Sequence, residues 1–233
     1  MKIGLLSDAH GNDGAFSLGI TLLRRLGATH FYFLGDAIGY VPSADVLDSL
    51  KRLGDEVRCV CGNHEAMLLK GLPDSPKEEI YQLKAVRSKL TLAQYEMIAS
   101  WPISVQQKFD GQKLLFVHGS PDDPTYGYVY PDTDLTGLTP DSDWIFMGNT
   151  HHPFIREEAG TIYVNIGSCG LPRDDGRYGS VALFDSVARS VRIFRFDITS
   201  FSALLLERYS SVHPSVRALY QRRCDHVFGE IIC

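Results

Sequence analysis

Six side chains of the kinds that bind metal ions follow or end short apolar runs in the sequence. They are Asp8, His10, Asp36, Asn63, His118 and His151. Taken singly, each has an ordinary explanation, such as an N-cap for an aspartate or a turn for an asparagine. Five apolar runs that each lead to such a residue, in a chain with eight histidines, favour a metal site instead.

The chemistry that this set can perform is that of a two-metal centre. Carboxylate, amide and imidazole ligands together suit Mn²⁺, Fe or Zn²⁺, whereas Ca²⁺ prefers oxygen ligands alone. Asp36 ends the middle one of three successive runs. We therefore expect its carboxylate to bridge two cations, one shared with Asp8 and His10 and the other with Asn63. Two cations ~3.5–4 Å apart would clamp a phosphoryl group and lower the pKa of a bridging water toward ~7.

The apolar patterns of the first third of the chain predict the elements that position these residues. Strands at residues 2–7, 29–34 and 57–61 alternate with helices at residues 12–26 and 42–53. This β-α-β-α-β order is typical of a parallel sheet with right-handed crossovers. The carboxyl ends of such strands meet along one edge of the sheet, where sites form.

The rest of the chain is richer in strand patterns. A turn at residues 73–76 and helices at 77–90 and 92–100, the second capped by Thr91, interrupt the alternation. Further strands are predicted at residues 103–109, 113–117, 144–147, 161–165, 179–184 and 191–196. A helix at residues 200–208 and a last amphipathic segment that ends near Asp225 follow. The pattern predicts an α/β fold of two sheets packed face to face, with helices outside each.

Length and composition predict one domain over residues 1–233, with a helical insertion at about 73–100 and a helical extension at about 198–233. The net charge of −5, without a long run of one sign, argues against an extended nucleic-acid surface. Five cysteines without a C-x-x-C pair favour a reducing compartment. Apolar runs far shorter than the ~18 residues of a membrane span, and an early Asp8, predict a cytoplasmic protein that makes no contact with a membrane.

The motifs around the six residues resemble those of the calcineurin-like metallophosphoesterase superfamily, most of all its small prokaryotic phosphodiesterases. The family pattern is D-x-H, G-D, G-N-H-D/E, H-G and G-H-x-H. Here it is matched, in order, by Asp8-Ala9-His10, Gly35-Asp36, Gly62-Asn63-His64-Glu65, His118-Gly119 and Gly148-Asn149-Thr150-His151. The resemblance spans residues 1–185 and implies a four-layer αββα sandwich of two mixed sheets with a dinuclear centre.

The resemblance also implies which residues hold each cation. The first set is Asp8, His10, Asp36 and His151, and the second is Asp36, Asn63 and His118. Asn149 departs from the pattern, because the family usually has a metal-binding histidine there. An amide oxygen is a weaker ligand than imidazole, so the second site is expected to be weak. His152 is placed to compensate only if its side chain turns the same way as that of His151.

Four further positions have expected roles in catalysis or substrate binding. In the family, His64 lies over the bound phosphate and assists the leaving oxygen, oriented by a carboxylate, which here is either Glu65 or Asp36. Asn12 either donates to a phosphate oxygen or caps the first helix. Tyr40 and Arg173 resemble elements of the small phosphodiesterases, and Arg173 either grips a phosphate or is an exposed loop arginine.

Three tyrosines alternate within the long segment 121–140, at Tyr126, Tyr128 and Tyr130. They either stack a base or cover the second sheet, and we favour covering. A structureless segment of this length is usually functional or mobile.

The sequence therefore predicts a metal-dependent phosphoesterase that acts on a phosphodiester or nucleotide-type substrate. A phosphomonoesterase, a protein phosphatase or a dinucleoside polyphosphate hydrolase is the alternative, since those branches share the G-N-H-E form. A non-catalytic scaffold that binds a protein partner is the second alternative. Asn149 favours the scaffold, whereas His64, which a scaffold does not need, opposes it.

Overall fold

Two mixed β-sheets form the centre of the protein. The computed structural model describes residues 1–71, 76–138 and 140–232. The first sheet contains, in spatial order, β11 (Glu230–Ile232), β10 (Ser190–Asp197), β9 (Tyr178–Asp185), β1 (Lys2–Leu6), β2 (His30–Phe33) and β3 (Val57–Cys59). The second contains β4 (Ser104–Phe109), β5 (Gln112–Val117), β6 (Trp144–Met147), β8 (Thr161–Asn165) and β7 (Phe154–Glu158).

Eight α-helices connect or follow these strands. They are α1 (Asp13–Arg25), α2 (Asp45–Leu53), α3 (Asn63–Lys70), α4 (Glu78–Tyr81), α5 (Leu83–Arg87), α6 (Leu92–Ala99), α7 (Thr199–Arg208) and α8 (Pro214–Leu219) among the described residues. A 3₁₀ turn, Gly54–Glu56, links α2 to β3. None of these helices, in the described part of the chain, is long and apolar enough to cross a membrane.

Backbone hydrogen bonds between the parallel strands β1 and β2 continue past the ends of both strands. Backbone N–H groups of Asp8 and His10 donate to the carbonyl groups of Gly35 and Asp36, each at 3.0 Å. The loops after β1 and β2 therefore stay side by side, as the carboxyl-terminal edge of a parallel sheet requires. This arrangement holds Asp8, His10 and Asp36 at one edge of the sheet.

The core between the sheets is built by alternation. In β5, Leu114 and Phe116 point between the sheets, whereas Leu115 and Val117 face the other way. Phe116 stacks on Tyr32 of the opposite sheet, with ring centroids 3.8 Å apart. Such a period of two is what a strand buried on both faces produces.

The outer layers differ between the two sheets. Apolar residues of α1, α2 and α7 pack with the outer face of the first sheet in one cluster. The outer face of the second sheet is covered by Val129 and Leu135 of the long loop after β5. The predicted class, two mixed sheets flanked by helices, is confirmed, but loop side chains form this part of the outer layer.

The prediction of one helix over residues 77–90 is wrong. Gln82, with a φ of 52°, separates α4 from α5. The break leaves the Tyr81 carbonyl free to accept from the Tyr40 N–H at 2.7 Å. The turn predicted at residues 73–76 lies, apart from Pro76, outside the described residues. Thr91 caps α6 as predicted and forms a capping box with Gln94.

Candidate metal centre

Candidate ligand residues from both sheets converge at the carboxyl ends of the strands. The first sheet contributes Asp8 and His10 after β1 and Asp36 after β2. The second contributes His118 after β5 and His151 after β6. Three groups have ligand atoms within 4.8 Å of one another: Asp8 with His10 and His151, His10 with Asp36 and His64, and Asp8 with Asp36 and His118. All of these side chains are buried.

The backbone at this cluster adopts conformations that non-glycine residues seldom have. Ten non-glycine residues of the described chain have a positive φ, and six of them lie here, with φ from 46° to 63°. They are Asp8, His10, Asp36, Tyr40, Asn149 and His151. A left-handed backbone costs each such residue roughly 1–2 kcal/mol, and strain concentrated in this way is typical of a functional site.

Glycines of the motifs allow the loops to pack this closely. A Cβ atom on Gly62 would overlap the Asp36 carboxylate, and one on Gly35, whose φ is +91°, would lie 2.5 Å from the Gly62 nitrogen. The residue before each of Asp36 and Asn63 therefore has to be glycine if the loops after β2 and β3 are to meet.

Three of the histidines are fixed by backbone carbonyl groups on their Nδ1 side. The carbonyls belong to Ile38 for His10, Leu34 for His118 and Leu171 for His151. Because a carbonyl only accepts, each Nδ1 atom carries the hydrogen and donates it. In the neutral imidazole, each Nε2 atom then points into the cluster with a lone pair available, which is the usual preparation of a histidine for a metal.

These Nε2 atoms face one another and the carboxylates. His10 Nε2 lies 3.2 Å from His151 Nε2, which is in turn 3.1 Å from Asp8 Oδ1. Among the described residues, Asp8 Oδ1 and His64 Nδ1 are the buried side-chain polar atoms that lack a hydrogen-bond partner. Two imidazole nitrogens and a carboxylate oxygen this close together require a positive charge between them, either a proton or a cation. The donor set and the unpartnered oxygen fit a divalent cation.

Asp36 occupies the middle of the cluster. Its Oδ2 atom lies 3.5 Å from His118 Nε2 and 3.7 Å from His10 Nε2, and His118 Nε2 is 2.9 Å from Asn63 Oδ1. Burial disfavours the charge of Asp36, but His118 and His64 outweigh it and lower its pKa. Burial acts against the charge of His118 too, yet Asp36 raises the pKa of His118 to about 10. Burial lowers the pKa of His10 well below its ordinary value.

His64 lies against Asp36 within a wall of rings. Its backbone N–H donates to Asp36 Oδ1 at 3.0 Å, and its Nε2 is 3.8 Å from Asp36 Oδ2. The rings of Tyr40 and Tyr81 each have their centroids 4.7 Å from that of His64. Burial lowers the pKa of His64 to about 4, although the charge of Asp36 acts in the opposite direction. Of the two carboxylates considered, Asp36 is the one that faces this ring.

Glu65 turns away from His64 and supports the loop after β2. Its buried carboxylate accepts four backbone N–H groups, two on each oxygen. They belong to Asp36, Gly62, Ala37 and Ile38. The side chain thus fixes the turn that presents Asp36.

Asn149 joins the centre to the long loop after β5. Its side-chain Nδ2 donates to the Gly127 carbonyl at 2.7 Å, and its backbone N–H donates to Asp8 Oδ2 at 3.1 Å. His152 diverges from His151, and its ring lies 6.0 Å from that of Tyr130. The amide of Asn149 is therefore engaged as a tether between the loop and the cluster.

Asn12 has the geometry of the capping alternative. Its Oδ1 accepts from the Ala15 N–H at 3.2 Å, and its Nδ2 donates to the Gly170 carbonyl at 3.1 Å. The side chain is buried, and its next donor contact, at 3.5 Å, is Ser202. The geometry favours the capping alternative for Asn12, because the cap and the loop contact both ends of the amide, and donation to a phosphate stays a prediction.

Tyr40 and Arg173 meet at the edge of the cluster. The Tyr40 ring lies 4.7 Å from that of His10, and its hydroxyl accepts from Arg173 Nη2 at 2.8 Å. Burial raises the pKa of Tyr40 above its ordinary value. Arg173 is half-buried and held over the Tyr40 ring, so it is not a freely exposed loop arginine.

Two features of the site were not predicted from the sequence. Tyr81, on α4, contacts both His64 and Tyr40, with the latter ring centroid 5.3 Å away. The tyrosines of the long loop are exposed, and Val129 and Leu135 cover the second sheet in their place. The covering role favoured for those tyrosines is therefore wrong. Tyr81 could not be identified from the sequence, because a bulky residue at the end of a short helix has no distinctive pattern.

The chain is similar in sequence to a known family and to one other protein over most of its length. The sequence profile of the calcineurin-like phosphoesterase superfamily domain matches residues 1–189. The uncharacterized protein MJ0912 of Methanocaldococcus jannaschii is 25% identical over 215 residues, which cover 84% of this chain and 87% of that protein.

The solved structures agree in fold over nearly the whole chain. A metallophosphoesterase from Sphaerobacter thermophilus has a TM-score of 0.77 at 23% identity, covering 95% of this chain and 98% of its own. The hypothetical protein PH1004 from Pyrococcus horikoshii OT3 has a TM-score of 0.79 at 20% identity, covering 94% and 97%. As the five sequence motifs predicted, the chain belongs to the calcineurin-like phosphoesterase superfamily, a family of metal-dependent phosphoester hydrolases.

Proposed function

We propose that the chain hydrolyses a small phosphodiester of the nucleotide type in a metal-dependent reaction. The observation that supports this most directly is the approach of His10 Nε2 and His151 Nε2 to 3.2 Å, beside the buried Asp8 carboxylate. Because their Nδ1 atoms are held by carbonyl groups, the two nitrogens direct lone pairs at one volume. A divalent cation is the natural occupant of that volume.

The residues present fit two cations. We assign Asp8, His10, Asp36 and His151 to the first, and Asp36, Asn63 and His118 to the second. Mn²⁺, Fe and Zn²⁺ suit these ligands. When bound, the cations would supply charge neutralisation of the phosphoryl oxygens and a water of lowered pKa. The second site is proposed to be the weaker one, since the Asn149 amide donates to Gly127.

The substrate would be positioned by residues at the edge of the cluster. Arg173 keeps N–H donors beyond the one that it gives to Tyr40, and a guanidinium is well shaped to bind two phosphate oxygens. The Tyr40 hydroxyl orients the guanidinium, and the Tyr40 ring closes one side of the histidine cluster.

We assign to His64 the stabilisation of the leaving oxygen, with Asp36 as its orienting carboxylate. His64→Ala is then expected to reduce turnover ~10²–10⁴-fold with bound metal unchanged. The geometry supplies a rival, because His64 also belongs to a candidate ligand group with His10 and Asp36. Loss of metal in His64→Ala, matching the loss in His10→Ala, would make His64 a ligand instead.

The function is tested by measuring metal per chain, after purification without chelator, beside hydrolysis of bis-p-nitrophenyl phosphate with added Mn²⁺. Bound metal with turnover is expected, and both should be lost in His10→Ala but kept in a variant of the exposed His30. A clear preference for p-nitrophenyl phosphate would favour the phosphomonoesterase alternative, and one for a dinucleoside polyphosphate would favour that branch. A folded, metal-loaded and inactive protein would favour the scaffold.

A further inference from the structure

Two tyrosines of the long loop present an open aromatic surface. Tyr128 is 51% and Tyr130 38% exposed, and their rings lie nearly parallel, at 9°, with centroids 6.2 Å apart. Val129 between them is 3% exposed and packs in the cluster on the outer face of the second sheet. Because Val129 anchors the chain, the two flanking rings are directed away from that face. We call this pair of rings the tyrosine platform.

The tyrosine platform borders the candidate metal centre. The Tyr130 ring lies 6.0 Å from that of His152, the residue after His151. Burial raises the pKa of Tyr128 above its ordinary value, and the charge of Arg173 acts in the opposite direction. The platform therefore lies beside the residue that directly follows the candidate ligand His151.

The loop that carries the platform is tied to the centre at two points. Asn149 donates its side-chain N–H to the Gly127 carbonyl, directly before Tyr128, while its backbone N–H donates to Asp8. The His118 backbone N–H donates to the Pro124 carbonyl at 3.1 Å. The distance from the platform to the ligand residues is thus set by short hydrogen bonds.

We propose that the tyrosine platform stacks the nucleobase of a nucleoside phosphodiester whose phosphate lies between Arg173 and the metal ligands. This inference rests on the proposed function and names its substrate class. A cationic phosphate site beside an exposed aromatic face complements the two halves of a nucleotide. Stacking on tyrosine accepts any base, because every base has a π-face, so the platform selects nucleotides over other phosphodiesters without selecting a sequence.

The test compares two phosphodiesters that share one leaving group: the p-nitrophenyl ester of thymidine 5′-phosphate and methyl p-nitrophenyl phosphate. In both, water adds to phosphorus and the bond to the p-nitrophenolate oxygen breaks, so the ratio of their kcat/KM values isolates the nucleoside. The native chain, loaded with Mn²⁺, should prefer the nucleoside ester. Tyr128→Ala should reduce that ratio about 5- to 100-fold, mainly through KM, and Tyr128→Phe should restore it.

Tyr126→Ala is the matched control, since Tyr126 is an exposed tyrosine of the same loop that packs against Lys70. It should keep the native ratio. A native chain that hydrolyses both esters equally, or a ratio that survives Tyr128→Ala, would overturn the inference, whereas metal-dependent hydrolysis of a phosphodiester would still stand.

Calorimetric binding to the Mn²⁺-loaded chain provides a readout that does not need turnover. Thymidine 5′-monophosphate should bind more tightly than ribose 5-phosphate, and Tyr128→Ala should remove most of the difference. If neither ester is hydrolysed, the proposed function fails, and this comparison alone decides the inference. Equal binding of the two phosphates would overturn it.

Discussion

Glu65 shows how much one buried side chain contributes to presenting a candidate metal ligand. Both of its oxygens accept two backbone N–H groups, including that of Asp36. In Glu65→Gln, one oxygen becomes an NH₂ group that faces two donors, so we expect a loss of about 2–4 kcal/mol in the free energy of unfolding. Bound metal should fall with it, because the turn that presents Asp36 loses its support. Urea denaturation and metal analysis measure the two effects.

Glu56→Gln is the control for the change of charge. Glu56 is 52% exposed and pairs with Arg24 on the surface, so its replacement should cost no more than about 1 kcal/mol. A Glu65→Gln protein as stable as Glu56→Gln would show that the four amides find other acceptors.

At this scale, the sequence predicted which side chains come together better than it predicted the partners that each one contacts. Asp8 and Asp36 were predicted to lie together because parallel strands end at one edge of a sheet. The role of Asn12 stayed open because one amide can cap a helix or bind a phosphate, and only the nearby Gly170 carbonyl distinguishes the two. Similarly, alternation of Tyr126, Tyr128 and Tyr130 predicts a shared face but does not tell which face is buried.

The loop after β5 is an element held in place by a few contacts, and Asn149 provides one of them. Asn149→Gly keeps the left-handed backbone, whose φ is 62°, but removes the hydrogen bond to Gly127. We expect a loss of about 1 kcal/mol in stability, faster hydrogen exchange in residues 121–130 and unchanged bound metal. Hydrogen-exchange mass spectrometry and metal analysis are the measurements.

Asn149→His tests whether position 149 belongs to the metal centre instead. It supplies the imidazole that the family usually has at this position. Tighter metal binding in this variant, together with metal loss and normal loop exchange in Asn149→Gly, would make residue 149 a ligand position and remove its role as a tether.

The elements that the sequence did not predict are those whose conformation depends on neighbouring elements of the fold. A left-handed break is usually signalled by glycine or asparagine, and Gln82 gives no such signal. The strands β7 and β11 lie at the edges of their sheets, where charged residues such as Glu157 and Glu230 are tolerated. Their patterns therefore lack the apolar alternation that identified β5 and β9.

At the scale of the whole molecule, the segment beyond the family match packs against the loop that carries Arg173. The Tyr220 hydroxyl donates to the Gly170 carbonyl at 2.9 Å, and Arg222 Nη1 donates to the Arg173 carbonyl at 3.0 Å. Arg195, fully buried on β10, binds both oxygens of Asp174. The C-terminal segment thus stabilises the position of the guanidinium that we assign to the phosphate.

Asp175 connects the same two parts and makes the stability of the molecule depend on pH. Its buried carboxylate accepts two side-chain hydrogen bonds from Arg177, at 3.0 and 2.8 Å, and one from the Cys224 backbone N–H at 3.3 Å. The Arg177 side chain is the main cause of the lowering of the Asp175 pKa to about 2, and burial opposes it.

Because the folded pKa lies below the unfolded value near 3.8, the unfolded chain takes up the proton first as the pH falls. The contribution of Asp175 is therefore complete above about pH 4 and is lost toward about pH 2, amounting to at most about 2 kcal/mol. Urea unfolding of the native chain at several pH values in this window should show the decline, and Asp175→Asn should flatten it. The exposed Asp55, changed to Asn, is the control and should leave the slope unchanged. An equal slope in Asp175→Asn would mean that Arg177 does not stabilise the charge of this carboxylate, and other carboxylates would then carry the acid sensitivity.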